Sequence, residues 1–301
     1  MDPALLNLFL AIDINVDPTM LELGFTLTWH GFFTAVGIVA GLVLGLWLAR
    51  RDGIAPEVGQ ELALVSVPAG IVGARLFYVI EHWNDFVPGN MSDIVFGITD
   101  GGLTLYGALI CGAAAGALYA LWQRWPVGVA LDAAAPAIIL GVAIGRFGDV
   151  LSGQRLATDS GLPWAVRYTH PDTLGDLGVA VHPATAYELL GGLAIFAVLL
   201  FVLRPRVQRA GWVFCSFVAM YAVLRFVLAH FRAGEQTVGD IAVTQIVSAV
   251  LLGMAFLVAG VFYRRPGPIT EEWAQRVGVA AVEDEPPPEQ PRKRKKKAVR
   301  S

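Results

Sequence analysis

Leu140-Gly-Val-Ala-Ile-Gly-Arg-Phe-Gly-Asp-Val-Leu-Ser-Gly-Gln154 is the stretch from which this chain is best read. An apolar, glycine-containing run of membrane-spanning character ends there in an arginine, an aspartate and a glutamine. Charge at the mouth of a bilayer segment is costly, and its usual explanation is a pocket or a polar pathway. The rest of the chain then serves as the frame that presents Arg146 and its neighbours.

Composition agrees. The 301 residues are 55% hydrophobic and only 16% charged, where a soluble domain carries roughly a quarter charged residues. Mean hydropathy is +0.60, and the apolar residues fall in long runs, the mark of membrane spans. Runs able to supply the roughly 20 residues that cross a hydrocarbon core predict seven spans, at about 31–49, 60–80, 103–123, 130–150, 186–204, 211–231 and 241–263. The second, fourth and sixth contain or end in Arg75, Arg146 and Arg225. The expected fold is all-α: a seven-span transmembrane domain over residues 1–264, with the Gly/Pro/Asp-rich segment 151–185 forming a small cap on its outer face. Residues 265–301 are Pro/Glu-rich and then densely basic, and are expected to be disordered against anionic lipid. Residues 1–24 lack the basic n-region of a cleavable signal. Cys111 and Cys215 sit in separate apolar runs and read as small packing residues.

Basic residues set the orientation. No Lys or Arg precedes the first span. Arg50-Arg51, Arg124, Arg204, Arg206 and Arg209 occupy alternate connections, and all four lysines lie in the tail. This places the N-terminus outside and the C-terminus in the cytoplasm. The outer side nonetheless holds Arg75, Arg146, Arg155, Arg167, Arg225 and Arg232, all arginine and none lysine. Any one of them can be explained by snorkelling to headgroups. Six on one side, three from alternate helices, point to a shared anion site, because the planar guanidinium makes bidentate contacts to phosphate.

Four segments carry a family resemblance: Trp29-His-Gly31; Gly73-Ala-Arg-Leu-Phe-Tyr78 with Asp100-Gly-Gly-Leu-Thr-Leu-Tyr-Gly107; Gly145-Arg-Phe-Gly-Asp-Val-Leu-Ser-Gly-Gln154; and His182-Pro-Ala-Thr-Ala-Tyr-Glu-Leu-Leu190 with Arg225-Phe226, Phe231-Arg232 and Gln245-Ile-Val-Ser248 downstream. In this order they resemble the prolipoprotein diacylglyceryl transferases of the bacterial cytoplasmic membrane, over roughly residues 20–262. The resemblance implies transfer of diacylglyceryl from phosphatidylglycerol to the lipobox cysteine thiol of a preprolipoprotein, with glycerol-1-phosphate leaving. It implies no cofactor and no nucleic-acid partner, and no His/Cys/Asp cluster at metal-ligand spacing is present in the sequence. Arg146 matches the arginine of the family signature, Arg225 that of the span-6 Arg-Phe element, and Arg75 the span-2 arginine, which also reads as a structural ion pair. Arginines aimed at a departing phosphate stabilise its growing charge, and the incoming thiol must lose a proton. His30 is either the thiol base or a helix cap, with Tyr106 and His182 as further proton carriers. Tyr187 and Glu188 suit headgroup hydrogen bonding or simple helix packing. Asp149, Gln154 and Arg232 complete the expected phosphatidylglycerol-binding set.

This chain departs from the signature Gly-Arg-x-Gly-Asn-Phe-x-Asn-Gly-Glu. Asp149 and Ser152 stand at the two Asn positions and Gln154 at the Glu. His30 replaces the tyrosine of Trp-Tyr-Gly, and Ala229 replaces the glutamate one turn beyond the span-6 arginine. Arg146 and Asp149, three apart, share a helix face and can pair. Asp149 then either restores the charge compensation lost at residues 154 and 229 or neutralises the arginine. The alternative to an enzyme is a non-catalytic or altered-specificity lipid-binding paralogue of the same fold. A transporter fits less well, because the polar residues cluster on one side and do not line a path to the midplane.

Overall fold

The computed structural model describes residues 11–22, 26–83, 104–123, 125, 127–154, 157–207, 209–234, 237–238 and 241–263. Short strands β1 (Ile12–Ile14), β2 (Thr19–Glu22) and β3 (Thr26–Thr28) lead into helix α1 (Trp29–Arg51), followed by α2 (Pro56–Glu81), α3 (Leu105–Trp122) and α4 (Val127–Ser152). Strands β4 (Val166–Tyr168) and β5 (Ala180–Val181) precede α5 (Ala184–Leu203), whose last six residues widen into π-helical geometry, and α6 (Trp212–Leu228), which tightens into a 3₁₀ turn over Ala229–Phe231. A hairpin of β6 (Thr237–Val238) and β7 (Ile241–Ala242) then opens α7 (Val243–Tyr263). Among the described residues six helices are long and apolar enough to cross a membrane, and α3 is a shorter apolar one. This is a polytopic membrane protein, with each helix overlapping an expected span. The expected tail at 265–301 lies outside the described residues.

Lipid tails are as apolar as leucine, so packing here relies on close backbone approach through small residues. Helix α1 carries Gly37, Gly41 and Gly45 at four-residue spacing against Ala137 and Gly141 of α4. A Cβ added at Gly37 would sit 2.4 Å from the Gly141 carbonyl oxygen, whereas one at Gly45 would meet only the Ala137 methyl at 3.3 Å. Gly73 of α2 and Gly107 of α3 are equally close, each Cβ position lying within 2.6 Å of the other's carbonyl oxygen. Gly37→Leu should therefore lower the folded yield and the thermal midpoint in detergent far more than Gly45→Ala, since only the first substitution forces α1 and α4 apart. The remaining core joins α4, α5 and α6 through Ile139, Ile195, Leu199, Phe217 and Tyr221.

The two ends of the bundle are pinned by polar contacts of different kinds. At one end Asp132 of α4 accepts from the N–H groups of Gly211 and Phe214 at 2.7 and 2.8 Å, satisfying the open start of α6. Nearby Arg204 reaches Asp52 at 2.7 Å. At the other end lies the cap expected from segment 151–185, but its sheet has the order β1-β4-β5 and takes its first strand from the N-terminal segment. Ile12–Ile14 pairs in parallel with Val166–Tyr168, and Arg167 is held by Asp13 at 2.7 and 2.9 Å. Tyr168 fixes the cap to the helix below by donating to the Val150 carbonyl at 3.0 Å.

Burial, and to a lesser degree the Asp149 carboxylate, push the Tyr168 phenol up to about 12. A group whose acidity is weakened by folding favours the fold below its unfolded pKa, near 10 for tyrosine, and that contribution is lost as pH rises through the folded value. Stability of the cap should thus fall between about pH 10 and 12. Hydrogen exchange of β4 in that window checks it, and Tyr168→Phe should remove this part of the alkaline loss.

Candidate active site

The capped end of the bundle is where α1, α3 and α5 begin and α4 and α6 finish, so five helix termini converge there. The side chain of Thr28 accepts from Gly31 N–H at 3.1 Å and caps α1, leaving His30 in the first turn free for another role. The last turns of α4 carry Arg146, Asp149 and Ser152. The first turns of α5 carry Glu188, the last turn of α6 carries Arg225, and the 3₁₀ turn after it delivers Arg232. Tyr106 stands in the first turn of α3.

Glu188 is the hub. The residue is 1% exposed, and its two oxygens gather groups from two other helices and the turn beyond one of them. Tyr221 donates to Oε1 at 3.1 Å. Arg225 Nη1 donates to Oε2 at 3.1 Å and Arg232 Nη2 to the same oxygen at 2.5 Å. Arg146 Nε lies 3.1 Å from Oε1, close enough for an ion pair yet without a hydrogen bond. The other end of the Arg146 guanidinium donates from Nη1 to Asp149 Oδ2 at 2.5 Å, and Asp149 Oδ1 is met by His30 Nδ1. Arg225 Nε donates to the Tyr106 hydroxyl at 3.0 Å, with its guanidinium 5.4 Å from the centre of that ring.

Buried charges persist only when paired and hydrogen-bonded, and this cluster meets that condition almost completely. Among the described residues of the cluster, three guanidiniums face two carboxylates, so one positive charge is in excess there before His30 is counted. Arg146 keeps a buried Nε without a hydrogen-bond partner, and the fully buried Ser152 Oγ, six residues further along α4, has none either. A site with excess positive charge and open donors in a low-dielectric setting is built to receive an anion with several oxygens.

A family model described as prolipoprotein diacylglyceryl transferase matches residues 18–261. The chain belongs to the prolipoprotein diacylglyceryl transferase family. It is 34% identical over 242 residues to the phosphatidylglycerol–prolipoprotein diacylglyceryl transferase of Corynebacterium glutamicum, covering 74% of this chain and 77% of that one. The identity is 32% over 240 residues with the enzyme of the same name from Finegoldia magna, covering 79% and 90%. It is 33% over 238 residues with that from Thermosynechococcus vestitus, covering 78% and 88%.

The site residues expected for this transferase family fall into a network, an aromatic wall and several residues that stand apart from both. Arg146, Asp149, Glu188, Arg225, Arg232, Tyr106 and His30 form one connected network. Tyr187, His182 and Phe231 form an aromatic wall beside it: the ring centres of His182 and Phe231 are 5.0 Å apart, and the Tyr187 hydroxyl accepts from Trp164 Nε1 at 2.8 Å. Arg75 is buried on α2, its guanidinium 5.5 Å from the centre of the Tyr78 ring. Gln154 is half-buried just past the end of α4, and its backbone N–H donates to the Asp149 carbonyl at 3.2 Å. Arg167 belongs to the cap through Asp13, and Arg155 lies outside the described residues. His30 is not the cap of α1, since Thr28 is. Asp149 pairs with Arg146, and Glu188 serves the arginines of both α4 and α6. Tyr221 is the residue that sequence reasoning missed. Its signal was its place four residues before Arg225, on the same face of one helix.

Proposed function

We propose that this chain transfers a diacylglyceryl group from phosphatidylglycerol to the lipobox cysteine thiol of a prolipoprotein, releasing glycerol-1-phosphate. The observation that carries the reading is the convergence of three buried guanidiniums on Glu188, with one charge in excess among the described residues, where helix termini meet. Phosphatidylglycerol presents a phosphodiester with one negative charge. When the thiol sulfur attacks the glyceryl carbon, the carbon–oxygen bond to phosphorus breaks and its electron pair stays on the phosphate. The departing monoester gains a charge, and donors already in place stabilise it without reorganisation.

Arg146 and Arg225 are the forks that hold the phosphate oxygens, and Glu188 is the positioning residue that keeps both aimed at one point. Arg232 adds charge on the cap side. Tyr106 holds Arg225 at Nε and Glu188 holds it at Nη1, which fixes the plane of the guanidinium. The aromatic wall of His182, Tyr187 and Phe231 offers an apolar body and polar tips at a lipid headgroup level. Arg50, Arg51, Arg204 and Arg206 at the opposite end of the bundle support reading that end as cytoplasmic. The site then faces the outer surface of the bacterial cytoplasmic membrane, with the N-terminus outside.

Purified protein supplied with labelled phosphatidylglycerol and a lipobox peptide tests this directly. Thioether-linked diacylglycerol on the peptide is the expected product. Tight lipid binding with an unmodified peptide would instead fit a lipid-binding paralogue.

A further inference from the structure

The three arginines and Glu188 account for the phosphate, but they leave the thiol proton without an acceptor. We propose that His30 is the base that takes it, oriented by Asp149; this inference rests on the transferase reading above. Three observations converge. Imidazole Nδ1 meets Asp149 Oδ1, and a carboxylate at one ring nitrogen fixes that nitrogen as the donor and leaves Nε2 with the lone pair. The His30 side chain keeps 38% exposure while Asp149 is fully buried, so the ring is the part of the pair that a peptide thiol can reach. The same carboxylate holds Arg146 through its second oxygen, so the proton acceptor and the phosphate fork are tied to one side chain.

Backbone packing holds the pair in register. A Cβ added at Gly148, one residue before Asp149, would lie 2.5 Å from the Trp29 carbonyl oxygen and 2.8 Å from His30 Cα. Only a glycine lets α1 and α4 approach closely enough there for imidazole and carboxylate to touch. The two departures from the family signature at residues 30 and 149, 119 positions apart, are thus a single contact in space. The other proton carrier in the network, Tyr106, already accepts from Arg225 Nε on the far side of the cluster.

The step balances as follows. The cysteine S–H proton passes to His30 Nε2 as the sulfur–carbon bond forms at the glyceryl carbon. The carbon–oxygen bond to phosphate breaks and its electrons leave with glycerol-1-phosphate. The imidazolium then gives its proton to that phosphate monoester or to water. Among the described residues, the charged groups paired with His30 are Asp149 and, through it, Arg146, both on α4. Just before the strand pair that leads into α1, Asp17 turns its carboxylate back on the Thr19 N–H at 2.7 Å, and the pair itself carries the exposed Glu22.

The test measures transfer and phosphatidylglycerol binding separately, from pH 6 to 9, for the wild type, His30→Gln and His30→Phe. Loss of a general base should cost about a hundredfold at neutral pH. The deficit should shrink as pH approaches the ordinary thiol pKa of about 8.5, where thiolate forms unaided. Lipid binding should stay within about threefold of wild type in both variants. Transfer within about threefold of wild type at every pH overturns the proposal, and so does a deficit that does not change with pH or that is matched by lost lipid binding. Failure of the wild type itself to transfer would reject the transferase reading instead, so the two failures are distinct.

Discussion

Replacing Arg146 by lysine should lower diacylglyceryl transfer by on the order of 10²–10³-fold, the cost typical of removing one preorganised donor from a developing oxyanion. The charge survives the substitution, so Asp149 and Glu188 keep a cationic neighbour and the bundle should remain folded. What disappears is the fork. In the wild type one edge of the guanidinium engages Asp149 at 2.5 Å while Nε faces Glu188 at 3.1 Å, and the planar group presents five donors in fixed directions. An ammonium offers a single point of charge that cannot satisfy Asp149, Glu188 and a phosphate oxygen together. Turnover of the purified variant, with its thermal midpoint recorded beside it, checks the expectation. Near-normal turnover in a folded Arg146→Lys protein would remove Arg146 from the role given to it.

The second large effect is on stability. Glu188→Gln leaves Arg146, Arg225 and Arg232 clustered around a neutral amide in a site from which water is largely excluded. Breaking a buried ion pair by removing one partner costs about 3–5 kcal/mol, and here three cations lose their shared counter-charge. The variant should unfold at a clearly lower temperature in neutral detergent. It should also respond to lipid in a diagnostic way, because a phosphate can stand in for the missing carboxylate. Added phosphatidylglycerol should raise its thermal midpoint more than it raises that of wild type, while zwitterionic phosphatidylethanolamine should not. An equal response to both lipids would mean that the cluster does not bind the phosphate.

These effects trace to features that differ in how openly the sequence displays them. The spans were legible because each is an apolar run long enough to cross a bilayer, and α3 was legible for the same reason despite being shorter. The Arg146–Asp149 pair followed from three-residue spacing on one helix. Glu188 was visible as a residue but not as a hub, because its partners lie on α4, on α6 and in the turn beyond α6. Nothing in His182-Pro-Ala-Thr-Ala-Tyr-Glu188 reports which way the side chain turns. Neither reading of Asp149, restored compensation for positions 154 and 229 or neutralisation of the arginine, takes in Glu188, which lies one helix away and faces both Arg146 and Arg225. The contact of His30 with Asp149 depends on the approach of α1 to α4 at Gly148, which sequence spacing does not reveal. The cap was legible as a Gly/Pro-rich segment, yet its first strand, Ile12–Ile14, is three residues long and has no periodicity to read.

The most direct measurement of the central claim is the stoichiometry of products. Purified protein, phosphatidylglycerol and a lipobox peptide are incubated together, and the modified peptide and the released headgroup are quantified by mass. One glycerol-1-phosphate released for each thioether-linked diacylglyceryl peptide, with both lost together in Arg146→Lys, is the predicted result. Phosphatidylglycerol that is bound but never consumed, or a peptide product that retains the phosphate, would contradict it.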